Sequence, residues 1–410
     1  MSYFEKTQIL AADSPSIDAF GKWRVSNPST LFDSKQVFNN NSFFFDSYNT
    51  GSSNIVYNSG SASSNLNLTG TGRAIRQTKR SFHYQPGKSQ QTIITGIFGD
   101  GVSGVTKGMG SYDDNDGIFF QQNGNSFGVT LRKTINGVKT NTFVSQSDWN
   151  VDKLNGTGPS ALTLDITKAQ IYSVDYEWLG VGRVRYYVVL KGLPRLVHEI
   201  TNYNALDTVY MRNPNLPIRF EISGSGTSTL TQICSTVISE GGFNDNGERT
   251  VVHDGYSAIS ASQYSVLMYV RIHPSASNVT IIPEQLDLLV SPTNNAKFGG
   301  RWDLLLNPTT SDTPVWSTVT GSSVTQFSVQ PTPGSISNVG KVIATGYFAG
   351  TGGSNFANNV KFDPFFGLGK TYQGTSDVLA IAVKQIDNAY DIYPTLVVRE
   401  LFWFRVLDFF

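Results

Sequence analysis

Two acidic residues have the types and spacing that could support catalysis. Asp175 and Glu177 belong to the run Val-Asp-Tyr-Glu-Trp at residues 174–178. Residues two apart on a β-strand project from the same face, so the two carboxyl groups would lie side by side next to an aromatic ring. Retaining glycosidases use two carboxyl groups about 5–5.5 Å apart. The segment that follows lacks the third acidic residue that often accompanies such a pair. We therefore interpret both residues as structural, paired with Arg183 or Arg185 on a neighbouring strand.

Two acidic, glycine-bearing loops raise the question of a calcium site, residues 112–117 and residues 244–248. Closely spaced carboxylates suit a hard cation that takes oxygen ligands. The first loop fails the EF-hand register: with Gly117 as the sixth position, Tyr112 stands first and Asn123 twelfth, where Asp and Glu are required. The second loop fails as well. The alternative to an ordinary solvated turn is a structural cation on the aspartates of the first loop: Asp113, Asp114 and Asp116.

The other residue types that carry chemistry are scattered. Cys234 is the single cysteine, and no Gly-x-Ser-x-Gly elbow or phosphate-binding loop is present. The glycine-rich residues 99–104 precede no helix whose N-terminus could bind a phosphate. The histidines form no metal-ligand spacing: His83, His198, His253 and His273. The sequence therefore predicts a protein that is not an enzyme, with no catalytic residue, no metal and no cofactor.

The one marked cluster of charge is the basic run Arg-Ala-Ile-Arg-Gln-Thr-Lys-Arg at residues 73–80. With Phe82 and Tyr84 just after it, such a run could bind nucleic acid or an acidic neighbour. The chain nevertheless balances 31 Lys and Arg against 31 Asp and Glu, so it has no long-range field that would attract nucleic acid. We interpret the run as a strand with a solvated or interface face and predict no nucleic-acid partner.

Composition favours β-structure and packing against neighbours. Charged residues are 15% of the chain, well below the roughly 25% of ordinary soluble domains, whereas 26 Phe and 18 Tyr suit strands. A single cysteine excludes an intrachain disulfide and is compatible with a reducing cytoplasm. The opening Met-Ser-Tyr-Phe-Glu-Lys is too polar for a signal peptide, and no apolar run approaches the roughly 20 residues of a membrane helix. We expect synthesis in a cytoplasm and no membrane partner.

Alternating apolar residues predict an all-β chain. In the run from Arg183 to Leu190 apolar side chains recur at every second position, and Lys191-Gly192 then turns the chain into a hairpin partner. Asn136-Gly137 between two strand-like runs is typical of a type I′ hairpin. Seven or more short strands at this spacing predict an antiparallel β-sandwich, jelly-roll-like, at residues 41–245. A second β-sandwich domain is predicted at residues 246–410.

The two ends of the chain are the predicted partner-binding regions. Residues 1–40 read as an extended N-terminal arm, because prolines and small residues interrupt any periodic pattern. The alternative is a strand packed on its own domain. The predicted arm anchors are Phe20, Trp23, Leu31 and Phe32. The last ten residues are so apolar that they must be buried by their own core or by a neighbour, and the predicted contacts there are Trp403, Phe404, Phe409 and Phe410.

Several strings in the first 245 residues are distinctive. Residues 18–35 read Asp-Ala-Phe-Gly-Lys-Trp-Arg-Val-Ser-Asn-Pro-Ser-Thr-Leu-Phe-Asp-Ser-Lys, and further such strings occupy residues 170–185, 215–222 and 232–242. Together they resemble a family of virion-associated proteins of tailed bacteriophages and large DNA viruses. The resemblance implies a structural component of a virus particle and supplies no catalytic residue. Its expected partners are other virion proteins and copies of itself, with a trimer as one candidate, and its expected location is the virion.

Binding of a host glycan is the alternative function. The hairpin pattern at residues 184–200 is similar to that of concanavalin-like or laminin-G-like jelly rolls, which often bind glycans; this likeness is one of fold alone. Exposed aromatic side chains beside Asp and Asn would then stack on sugar rings, the candidates being Trp178, Trp302, Trp316 and the Tyr112 loop. A third hypothesis, a glycosidase acting on surface polysaccharide, would use Asp175 and Glu177.

Overall fold

The computed structural model describes residues 17–21, 23–24, 27–242, 247–253, 257–259, 264–292, 297–321, 324–330, 334–351, 356–362 and 366–401. Strands make up 61% of these residues. The described residues contain no α-helix, and a single turn of 3-10 helix covers Gln146–Asp148. In the same residues, no helix is long and apolar enough to cross a membrane. The fold is an all-β, antiparallel, jelly-roll-like sandwich, as the alternation pattern predicts.

The chain divides into two compact units. Unit 1 comprises residues 1–78 and 82–244, and unit 2 comprises residues 79–81 and 245–410. The short segment Lys79–Ser81 therefore belongs to unit 2, although the sequence pattern assigns it to the first domain. Its place there is fixed by backbone pairing, since the Lys370 N–H donates to the Lys79 carbonyl at 2.9 Å. The Thr280 hydroxyl likewise donates to the Ser81 carbonyl, at 3.2 Å.

Unit 1 is a single curled sheet of twelve strands. Its strands are β1 (Ser29–Lys35), β2 (Phe45–Asn58), β3 (Ser63–Thr78), β4 (Gln90–Ile97), β5 (Val105–Tyr112), β6 (Gly117–Asn123), β7 (Ser126–Ile135), β8 (Val138–Ser145), β9 (Gln170–Tyr176), β10 (Val184–Leu190), β11 (Leu193–Ile200) and β12 (Ile218–Ser239). The main path runs β11-β10-β9-β4-β12-β5-β6-β7-β8. Every pairing in it is antiparallel.

Strand β12, 22 residues long, joins the two halves of this sheet. Its first part pairs with β5 and its last part with β4, while β3 and β1 pair along its other edge. Because the sheet curls, β9 and β10 come to face β6 and β7. The Phe120 and Tyr172 rings lie 4.8 Å apart across this interior, and the Tyr186 hydroxyl donates to the Thr130 carbonyl at 3.0 Å. An aromatic-rich interior of this kind closes the sandwich.

The two faces of β9 and β10 have different roles. Val184, Tyr186 and Val188 lie in the buried core, as the alternation predicts. The intervening Arg185 and Tyr187 point to the outer face, where they are also buried. Charged groups buried on the outer face of a sheet require a cover that supplies partners for them. The N-terminal segment of the chain provides that cover.

Unit 2 contains two larger sheets and one short ribbon. Its strands are β13 (Glu248–His253), β14 (Ser257–Ile259), β15 (Tyr264–Ile272), β16 (Thr280–Pro292), β17 (Phe298–Leu306), β18 (Thr309–Thr310), β19 (Ser317–Thr318), β20 (Thr325–Val329), β21 (Ile336–Asn338), β22 (Lys341–Gly350), β23 (Phe356–Lys361), β24 (Val378–Gln385) and β25 (Tyr390–Leu401). One sheet runs β13-β25-β16-β23 with β14 beside β25, and the other runs β19-β20-β15-β24-β17-β22. Strands β18 and β21 form the ribbon.

The two sheets of unit 2 pack face to face. The Tyr390 ring on β25 lies 5.3 Å from that of Phe348 on β22, at an interplanar angle of 87°. The Thr325 hydroxyl on β20 also donates to the buried Glu400 carboxylate on β25. Contact between inner faces of two antiparallel sheets is the arrangement of a β-sandwich.

The structure corrects the extent of the predicted arm. Within residues 1–40, Ser29–Lys35 is strand β1, which pairs with β12 from Ser29 opposite Ser239 to Lys35 opposite Cys234, with a bulge between Thr30 and Phe32. Its burial alternates, so Phe32 enters the core of its own unit. For this part of the segment, the alternative of a strand on its own domain is what the structure shows.

Candidate functional site

The described part of the N-terminal segment forms a short loop ahead of strand β1. Ile17 and Trp23 form an isolated antiparallel bridge, and the Gly21 N–H donates to the Asp18 carbonyl at 2.9 Å. Gly21 has a φ of 76°, which a glycine adopts without strain. We call the described residues of 17–24 the arm loop. Ile17, Asp18 and Ala19 are buried within unit 1.

Arg24 connects the arm loop to a group of buried charges on β9, β10 and the end of β12. Its guanidinium bonds the Asp175 carboxylate and lies 2.5 Å from Glu240 Oε1. Arg185 binds the same aspartate through both ends, with Nε 2.9 Å from Oδ1 and Nη2 2.6 Å from Oδ2. The side chains of Asp175 and Arg185 are completely buried. We call Arg24, Asp175, Arg185 and Glu240 the ionic cluster.

Arginines also bind the main chain of the arm loop. The Arg185 Nη2 donates to the Ile17 carbonyl at 2.9 Å, and Arg24 Nε donates to that same carbonyl at 3.0 Å. Arg183 donates to the Ala19 carbonyl and, at 3.2 Å, to the Asp18 carbonyl. Charge-assisted bonds to backbone carbonyls hold a polypeptide irrespective of its side chains.

Burial and charge act against each other on the carboxyl groups around the arm loop. Burial raises the pKa of Glu240 above its ordinary value, although the Arg24 guanidinium acts in the opposite direction. Burial likewise raises the pKa of Glu177, which accepts the Arg183 N–H at 3.1 Å. For Arg185, burial lowers the pKa but the paired Asp175 carboxylate outweighs it, so the pKa is raised. A guanidinium group is not deprotonated in proteins, so Arg185 is a buried positive charge.

Asp175 lies directly opposite Arg185 in the sheet, and Arg185 is one of its two predicted partners. Both of its oxygens are engaged by guanidinium groups, and its side chain has no exposed surface. A nucleophile or general base must reach a substrate atom with a free oxygen. In this structure the arm loop and two arginines occupy that position, and Glu177 is engaged by the Arg183 backbone.

The acidic loop between β5 and β6 is held by protein groups. Asp114 contacts Arg73 at 2.8 Å and Arg219 at 2.6 Å, and Asp113 caps the turn by accepting the N–H groups of residues 115 and 116. Asp116 is buried and accepts the Thr134 N–H at 3.2 Å. Among the described residues, no group of three or more His, Cys, Asp or Glu is arranged to hold a metal ion.

The basic run at residues 73–80 is partly interior, which the sequence pattern did not predict. Arg76 is buried, lies 4.9 Å from the Phe45 ring centroid and donates to the Asn40 carbonyl. Arg73 pairs with Glu221 at 2.8 Å. Buried or paired guanidinium groups offer little to a nucleic-acid backbone.

The aromatic side chains predicted for sugar stacking are mostly interior. Trp178 donates its indole N–H to the Met211 carbonyl at 2.7 Å, and Trp302 is 2% exposed. Tyr112 is buried against Phe119, with ring centroids 4.1 Å apart. Trp316 is half-buried in unit 2 and carries the Arg271 guanidinium 3.9 Å above its ring. Stacking on a sugar needs a free ring face, and the buried rings of Trp178, Trp302 and Tyr112 offer none.

The predicted partner-binding residues have different environments. Trp23 is 57% exposed, which leaves most of its ring available to another molecule. Phe20 and Leu31 are half-buried, and Leu31 packs against the core that contains Phe32. The four predicted contacts at the C-terminus lie outside the described residues: Trp403, Phe404, Phe409 and Phe410.

Comparisons with known proteins find similarity in fold only. No family model matches the chain, and no curated protein matches it. Among solved structures, a Bacillus licheniformis β-glucanase is similar at 14% identity and a TM-score of 0.33, covering 52% of this chain and 98% of its own. A legume lectin-like domain from Entamoeba histolytica matches at 8% identity and a TM-score of 0.31, covering 52% of this chain and 98% of its own. A Bacteroides ovatus GH16 protein solved with a G4G4G3G product matches at 9% identity and a TM-score of 0.34, covering 50% of this chain and 99% of its own.

Proposed function

We propose that this chain is a structural component of a virus particle, in the role of a capsid decoration, fibre or tail-associated protein, and that it acts by protein–protein assembly. One observation carries the proposal: the buried arginine–carboxylate cluster of unit 1 is covered by polypeptide main chain. The resemblance of residues 18–35 to virion-associated proteins supports the same role. The protein would be made in the host cytoplasm and located in the virion.

The arm loop explains how assembly would work. The ionic cluster fixes the loop on unit 1, and the loop then presents Trp23 at 57% exposure beside the turn at Gly21. Aromatic side chains held on a rigid support are frequent anchors of protein interfaces. The partners would be other virion proteins or further copies of this chain, and a chain with zero net charge meets them without long-range repulsion.

Incorporation into particles tests the proposal. Deletion of residues 1–24 removes the arm loop but spares β1, whose Phe32 belongs to the core. A finer comparison sets Trp23→Ala against Tyr203→Ala, because Tyr203 is 71% exposed in the same unit but outside the arm loop. We expect the deletion and Trp23→Ala to lower the copies per purified particle, and Tyr203→Ala to leave them unchanged.

Two results would contradict the proposal. Unchanged incorporation of both the deletion and Trp23→Ala would show that the arm loop has no part in assembly. Turnover of a host polysaccharide by the purified wild-type chain, abolished by Glu177→Gln, would instead establish the glycosidase hypothesis.

A further inference from the structure

Strand β2 has an unusual edge. Within the described residues it pairs with β3 alone, and it is 14 residues long with the sequence FDSYNTGSSNIVYN. Natural edge strands are protected by charged side chains, proline, a β-bulge, shortness or a covering element. β2 contains no lysine, arginine or proline, and its one charged residue is Asp46 at the start. A bulge between Gly51 and Ser53 interrupts it, and Ser53–Asn58 then pairs regularly.

One face of this edge continues as an uncharged polar surface over three strands. Asn54 lies opposite Asn67 on β3, which lies opposite Thr229 on β12. Their side chains form a hydrogen-bonded row, with the Asn67 amide donating to Asn54 Oδ1 at 2.9 Å and the Thr229 hydroxyl donating to Asn67 Oδ1 at 2.9 Å. In the next row, Val56 is 47% exposed beside Asn65.

The other face of the edge is anchored. Ile55 packs against the core of unit 1, and the Tyr57 hydroxyl donates to the Gln36 carbonyl at 2.8 Å. The strand is thus held in an extended conformation before any partner arrives. Every second residue of an edge strand turns its N–H and C=O groups away from its neighbour, where they can bond a further strand.

We propose that Asn54–Asn58 pairs antiparallel with the same segment of a second copy of this chain, about a two-fold axis at Val56. The segment is self-complementary, because a two-fold axis sets each outward donor against the matching acceptor of the other copy. This register places Val56 opposite Val56, and Asn54 opposite Asn58, on the polar face. Ile55 then lies opposite Tyr57 on the other face.

A second copy suits this edge better than a charged partner. Residues 47–58 contain no charged side chain, so two copies approach without repulsion and without an ion pair to lose. The paired Val56 side chains would cover the exposed apolar surface of each other. The contact deepens the proposed assembly function by naming one partner, and dimerisation of the purified chain is measured apart from incorporation into particles.

Sedimentation of the purified full chain tests the contact. Val56→Lys places two like charges opposite each other at the axis, so we expect the dimer dissociation constant to rise by about tenfold or more. Val56→Thr is the matched control, since it keeps a β-branched side chain without a charge, and its dimer should persist. A wild-type chain that stays monomeric, or a Val56→Lys chain that dimerises like the wild type, would overturn the contact.

Cross-linking checks the register independently of the dissociation constant. In a chain carrying Cys234→Ser, we expect Val56→Cys to form a disulfide-linked dimer on oxidation, because residues directly opposite in a sheet lie within disulfide reach. Val181→Cys is the control, since Val181 has the same 47% exposure in the same unit but lies in a loop. Equal dimer yields from the two positions would refute the two-fold axis at Val56.

Discussion

Removal of one charge from the ionic cluster should destabilise unit 1 strongly. Asp175→Asn keeps the shape of the side chain but leaves Arg185, whose side chain is completely buried, without its carboxylate partner. Arg24, 16% exposed, loses its bond to the same group. Breaking a buried ion pair on one side costs about 3–5 kcal/mol, because the remaining charge stays desolvated. We therefore expect the unfolding free energy of unit 1 to fall by about 3–5 kcal/mol.

Urea denaturation followed by tryptophan fluorescence measures this loss. Urea is preferable to guanidinium because it adds no salt that would screen the cluster. Trp149 and Trp178 are buried in unit 1 and report its transition. The control is Asp207→Asn, the same change at an exposed aspartate of the same unit, which should leave the urea midpoint unchanged. A loss below about 1 kcal/mol for Asp175→Asn, with an unchanged denaturant slope, would refute the reasoning.

Three further predictions concern single groups of unit 1. Burial alone would raise the pKa of Asp114, but the guanidinium groups of Arg219 and Arg73 outweigh burial and lower this pKa. The stability that the ionised Asp114 contributes is therefore present above the ordinary pKa of an aspartate and is lost as the pH falls below that value. Asp114→Asn should therefore flatten the decline of stability in acid titrations, and an unchanged decline would contradict the pairing. Burial lowers the pKa of Lys107 to about 8, so the stability of the fold should rise with pH between about 8 and 10.5. Lys107→Met should remove that rise, which is measured as the urea midpoint across this pH range. Gly137 has a φ of 79° and open space around it, so Gly137→Val should lower the unfolding free energy by about 1–2 kcal/mol through backbone strain alone. An unchanged unfolding free energy in urea titration would contradict the turn at this position.

The local pairings of unit 1 could be predicted from the sequence. Asn136 and Gly137 both adopt positive φ, of 50° and 79°, between β7 and β8, as a type I′ turn requires. The turn at Lys191-Gly192 between β10 and β11 has the same property, with φ of 54° and 74°. These elements were predictable because turn chemistry and side-chain alternation are local properties of the chain.

Long-range contacts of the candidate site could not be predicted in this way. The pairing of Asp175 with Arg185 follows from one hairpin, but the contacts of Arg24 with positions 175 and 240 span 151 and 216 residues. No periodicity connects such positions. The burial of Arg76 under Phe45 was missed for the same reason, since a basic run has the same pattern whether a sheet covers it or not.

The number of copies per particle tests the central claim most directly. Quantitative mass spectrometry on purified, nuclease-treated particles should find this chain at a fixed copy number relative to the major capsid protein. A reconstruction of the same particles should place those copies on a symmetry axis or in a symmetric array, in contact with other virion proteins. Complete absence of the chain from such particles, with all of it free in the lysate, would contradict the account.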